Sequence, residues 1–97
     1  MAYDPGAIDA TLAAAVGDEP GLIAELRLAF VESAERAYAL MAEAETVEAW
    51  KGAAWRLKGL AASFGAIRLM ALATDALTVT PGEPATLAKL KRAIERL

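Results

Sequence analysis

Apolar residues recur along this 97-residue chain at spacings of three and four, the period of amphipathic helices. Ile8, Leu12 and Val16 follow Asp4-Pro5, a capping carboxylate and a proline whose missing N–H is no loss at the first helical position. Gly17 predicts the end of that short helix. A second helix is predicted from Asp18 to Ala44, the longest in the chain, with Glu19 and Pro20 in its first turn, where negative charge suits the helix dipole. Its buried face reads Leu22, Leu26, Phe30, Ala34 (or Ser33), Ala37, Met41 and Ala44, while Glu25, Glu32, Glu35, Arg36 and Glu43 fall mainly elsewhere. Thr46 caps the next helix, although no Gly or Pro marks the break before it. Trp50, Ala54, Leu57, Ala61 and Phe64 form its buried stripe, which ends near Gly65. A fourth segment from Ala66 carries Ile67, Met70, Leu72 and Leu77. Two prolines and a glycine between Thr78 and Pro84 mark the clearest loop. A last helix from Glu83 to Leu97 turns Leu87, Leu90, Ile94 and Leu97 inward, and its Lys89, Lys91, Arg92 and Arg96 favour the negative C-terminal end.

Composition agrees with this pattern. About a quarter of the residues are alanine, and Leu, Glu, Lys and Arg supply much of the rest. Valine, isoleucine and aromatics, which suit pleated surfaces, are sparse. The expectation is an all-α fold: an antiparallel four-helix bundle with a short leading helix, one domain over residues 1–97.

Histidine and cysteine are both absent. That excludes Ser-His-Asp and Cys-His nucleophile sites, zinc, copper and haem sites built on those ligands, and disulfides. No cofactor and no metal site is expected. The first residues do not read as a secretory signal, and no apolar run approaches the ~18–20 residues that span a bilayer. A cytoplasmic chain with no membrane partner is the expectation.

The net charge of −3 is unevenly spread. Residues 1–48 hold ten acids and two bases (Arg27 and Arg36), a net −8; residues 49–97 hold eight bases and three acids, a net +5. Two readings stand side by side: oppositely charged helices that pack and neutralise each other, or a basic face for an acidic partner. Nucleic acid is not expected as that partner, because the total is negative and aromatics are too few for a stacking platform.

One segment carries more specific information. Residues 54–66 read Ala-Trp-Arg-Leu-Lys-Gly-Leu-Ala-Ala-Ser-Phe-Gly-Ala. This resembles the signature of the histidine-containing phosphotransfer (HPt) domain family, in which a phosphorylated His is followed by any residue, an aliphatic, Lys-Gly, and later a small hydroxyl residue and Gly-Ala. Leu57, Lys58, Gly59, Ser63, Phe64, Gly65 and Ala66 stand at the matching offsets. The resemblance extends upstream to Phe30-Val31-Glu32-Ser33 and downstream into the Leu-rich helix after Gly65, and so covers most of the chain. It implies the same bundle.

Where the family carries its phosphoacceptor histidine, this chain has Trp55. The indole nitrogen commits its lone pair to the ring and cannot attack a phosphoryl group, and no other histidine is available. The resemblance therefore implies an HPt-like chain that does not pass phosphate through histidine and is not an enzyme. Ser63 and Thr46 have no base beside them in the sequence to activate their hydroxyls.

On a helix, residues 51, 55, 58, 59 and 62 lie opposite Trp50, Ala54, Leu57 and Ala61. Trp55 is thus expected to face outward and lean toward Lys51 and Gly52, with Gly52 clearing room for the indole. Lys58 leans back over Trp55, within reach of a cation–π contact. The resemblance implies that Lys58 stands where family members neutralise the phosphoryl group and Gly59 where they clear space for a partner. The candidate partner-binding residues are Trp55, Lys58, Gly59, Lys51, Gly52, Ala62 and Arg56, with Leu57, Ser63 and Gly65 as structural members of the motif. Trp50 belongs to the core.

Two functions follow. One is a non-catalytic docking or regulatory module of two-component signalling that binds a response-regulator receiver domain or a histidine kinase. The other is a structural helical adaptor or oligomerisation domain with no phosphorelay partner, in which Trp55 merely covers the stems of long neighbours. A monomer is the default for the fold, and a Trp-centred patch is also a route to a symmetric dimer.

Overall fold

The helix-forming composition is realised almost without interruption in a computed structural model, which describes residues 5–17 and 19–97. Among the described residues five helices follow one another: α1 Pro5–Val16, α2 Pro20–Glu43, α3 Val47–Ser63, α4 Ile67–Ala76 and α5 Pro84–Glu95. No strand occurs among the described residues. No described helix is long and apolar enough to cross a membrane.

The boundaries come from local chemistry. Pro5, Pro20 and Pro84 occupy first helical positions, where the missing N–H is harmless. The Thr46 hydroxyl accepts from the Ala49 N–H at 3.1 Å and caps α3, as its position predicts. The Glu83 carboxylate accepts from the Thr86 N–H and caps α5. At the far end of α3, the Ala66 N–H bonds Ala61 O at 2.9 Å and the Gly65 N–H bonds Ala62 O at 3.4 Å. That paired closure needs a left-handed residue, and Gly65 supplies it at φ +72°. Gly17, at φ +78°, ends α1 in the same conformation. Asp4, Asp18 and the side chain of Val16 lie outside the described residues.

Packing follows chain order and then closes. The helix α2 packs against α3 and α5, α3 against α4, and α4 against α5, while α1 lies on α2. The buried residues form one contiguous cluster, anchored by Trp50, Phe30, Ile8, Met41, Leu57, Leu69 and Leu90. Among the described residues nine of its eighteen members are alanines, so the helices meet over small side chains with a few large ones filling between. The Phe30 and Phe64 rings stack at 4.6 Å with 17° between their planes, joining α2 to the end of α3. The Arg27 guanidinium donates to Leu97 O at 3.2 Å and ties α2 to the end of the chain.

Three expectations need correction. The long helix starts at Pro20, two residues later than Asp18, with Glu19 as a cap residue that makes no side-chain cap bond. Leu22 is 37% exposed, and Ile23 packs on the core in its place. Ile23, Leu26, Phe30, Ala34, Ala37 and Met41 keep the helical period, whereas Leu22 lies a full 100° step from Ile23. In α4 the inward stripe is Leu69, Ala73 and Ala76, and Ile67 stands 67% exposed. Residue bulk points to Ile67, but the spacing of four and three that meets α3 and α5 runs through two alanines.

Candidate functional site

Two tryptophans five residues apart on α3 take opposite fates, because five residues turn a helix by about 140°. Trp50 is fully buried, and its indole N–H donates to Ala76 O at 2.8 Å. Trp55 is 57% exposed, the only exposed aromatic among the described residues. The Lys58 Nζ stands over its ring, 4.5 Å from the centroid. Such a contact is worth about 0.5–1 kcal/mol at an exposed position and holds the ammonium and the indole in one orientation. The result is a flat apolar surface with a positive charge fixed on its face.

Around this pair the helix is low. Gly52, Gly59 and Ala62 are exposed, and so are Lys51 and Arg56, while Lys58 is half-buried. A methyl added at Gly52 or Gly59 would meet no neighbouring atom within 4 Å. Gly52 therefore does not clear room for the indole, contrary to the expectation from the lean of helical side chains. Each interior glycine costs a helix about 0.5–1 kcal/mol relative to alanine, and no close contact among the described residues repays it here. Leu57, by contrast, is core, Ser63 is exposed at the last turn of α3, and Gly65 closes the helix.

Arg56 points the patch toward a feature the sequence did not single out. A groove of about 390 Å³ runs between α2 and α3, lined by Arg36, Leu40, Glu43, Arg56 and Leu60 among others. Leu40 is 47% exposed there, and Arg36 donates to the Ser33 hydroxyl at 3.0 Å. The positions 33, 36, 40 and 43 share one face of α2, a signal the sequence does hold, but only the packing of α3 beside it makes a groove.

Among the described residues no group of His, Cys, Asp or Glu is placed to hold a metal ion. The Glu32, Glu35 and Glu43 carboxylates are exposed on α2, as a solvated face requires. The arrangement at Trp55 offers apolar area, fixed positive charge and backbone accessibility, which are the ingredients of recognition. Comparison with protein-family models, with curated proteins and with solved structures finds no match to this chain.

Proposed function

We propose that this chain is an HPt-like antiparallel four-helix bundle that docks a response-regulator receiver domain or a histidine kinase without accepting phosphate. One observation carries the reading: at the position where the resembled family holds its phosphoacceptor, an exposed Trp55 lies under the Lys58 ammonium between two glycines that open the helix surface. The indole supplies the buried aromatic anchor typical of interface hot spots. Lys58, with Lys51 and Arg56 beside it, supplies the positive charge that suits the acidic pocket of a receiver. The glycines let a partner's backbone approach. The ring of contacts among α2, α3, α4 and α5, with α1 outside it, supports the bundle.

The test measures binding of purified receiver domains and histidine kinases from the source organism to the full chain and to Trp55→Ala. At least one is expected to bind the wild type and to lose about tenfold or more in affinity to the variant, the scale of a hot-spot truncation. No phosphoryl transfer onto the wild-type chain is expected in any pair. Binding unchanged by Trp55→Ala, while substitutions elsewhere abolish it, would move the interface and favour a helical adaptor. Transfer of phosphate onto the wild-type chain would overturn the proposal.

A further inference from the structure

Four cations converge on one small cleft between α4 and α5, remote in sequence from the Trp55 motif. Arg68 forms one wall from the first turn of α4; Lys89, Arg92 and Arg96 form the other, at the i, i+3, i+7 spacing of a single face of α5 and its last turn. Ala93 lies at the floor. The cleft measures about 40 Å³. One water centre needs ~10–15 Å³, so the space suits two or three oxygen atoms of one ligand.

The ordinary reasons for placing a cation cover only part of this set. Arg92 and Arg96 complement the negative end of the α5 dipole, and Lys89 acts on the cap carboxylate of Glu83. Arg68 has neither reason. It sits at the positive end of α4, where the dipole disfavours a cation, and Ala66 provides no capping side chain there. Glu95, the one acid of α5, lines a different cleft with Glu35, Tyr38 and Lys91. Among the described residues Arg68, Arg92 and Arg96 make no ion pair. The fold thus gathers four like charges around a concavity, and no described acidic residue lines it, in a chain whose net charge is negative. Mutual repulsion at this range is unfavourable, and a bound anion relieves it.

We propose that this cleft binds a multiply charged, phosphoryl-bearing anion, gripped by Arg68 on α4, by Lys89 and Arg92 on α5 and by Arg96 at its C-cap. Guanidinium groups match phosphoryl oxygens through paired, parallel N–H donors, and three of the four cations are arginines. A charge of four suits a phosphoryl or pyrophosphoryl group better than a single carboxylate. The chemistry is shared by soluble phosphate compounds and by phosphorylated lipid headgroups. The cleft shares no residue with the Trp55 patch, so the two proposals stand or fall separately.

The test titrates the full chain, labelled with nitrogen-15, with inorganic pyrophosphate at constant ionic strength. Saturable shifts confined to the amides around Arg68, Lys89, Arg92 and Arg96 are expected. Arg68→Gln and Arg92→Gln should each weaken binding by about tenfold, the effect of losing a hydrogen bond to a charged group. Their circular dichroism and melting should match the wild type. Arg36→Gln removes the same charge from α2 and should bind as the wild type does. A second arm measures flotation with phosphatidylcholine vesicles carrying a phosphoinositide. Capture lost in Arg68→Gln would assign the headgroup source; pyrophosphate binding without capture would assign a soluble phosphate compound. Shifts that fail to saturate, that spread to Lys51, or that survive both arginine substitutions would overturn the site.

Discussion

The indole N–H of Trp50 donates to the carbonyl oxygen of Ala76 at 2.8 Å, so the start of α3 is fastened to the end of α4. The Ala76 carbonyl belongs to the last turn of its helix and has no intrahelical partner. The Val79 N–H also reaches it, at 3.4 Å. A fully buried ring fills the core while its one polar atom finds an acceptor there and gives the Ala76 carbonyl its shorter hydrogen bond. Trp55, five residues on, does neither.

Trp50→Phe keeps much of the volume and removes the donor. It is expected to cost about 1–3 kcal/mol in a urea denaturation series, from the lost hydrogen bond and the smaller ring together. Trp50→Ala adds a cavity and should cost about 3–5 kcal/mol. In the same series Trp55→Ala should cost no more than ~1 kcal/mol, because it loses chiefly the contact with Lys58.

Gly52→Ala and Gly59→Ala should each stabilise the chain by about 0.5–1 kcal/mol, since both positions are helical and a methyl at either meets open space. The same two variants should weaken docking at Trp55, most of all Gly59→Ala. Stability gained while receiver or kinase binding falls is the signature of glycines kept for a partner; stability gained with binding intact would remove them from the interface.

The Glu83 carboxyl is held below its ordinary value of 4.5, first by its side-chain hydrogen bond with Thr86 and then by the Thr86 backbone N–H. A depressed folded-state value contributes stability that is fully present above 4.5 and is lost as pH falls through the lower folded value. Melting curves of wild type and Glu83→Gln should therefore differ most at neutral pH and converge in acid below 4.5. A difference that is constant across that range would show that the cap bond does not depend on ionisation.

Trp55→His places imidazole in the sequence His-Arg-Leu-Lys-Gly, with Lys58 and Gly59 already present. At least weak phosphoryl acceptance from a receiver that binds the chain is the expected outcome, measured with phosphorylated receiver and the purified variant. Failure with several receivers that demonstrably bind would count against the HPt-like reading of this position.

Much of the Trp55 site was legible because it is local. The exposure of Trp55 and the reach of Lys58 depend on an i, i+3 relation along one helix, and helical geometry alone sets it. The groove beside Arg56 and the cleft at Arg68 were not legible, because each takes its walls from two helices. Residue bulk misled in two places, promoting Leu22 and Ile67 over Ile23 and the alanine stripe of α4.

By itself the sequence determined the helical class and several of the helix ends, through residues that act within a few positions of themselves: Pro5, the Thr46 and Glu83 caps, Gly17 and Gly65. It also determined that no imidazole or thiol is present. Tertiary structure alone decided which carbonyl receives the Trp50 indole, which flank of each apolar stripe is covered, and that Arg68 faces Arg92 and Arg96. A cap needs only neighbours along the chain, whereas a shared cleft or a cross-helix hydrogen bond depends on the rotation and separation of two helices, which side chains from the whole core set together.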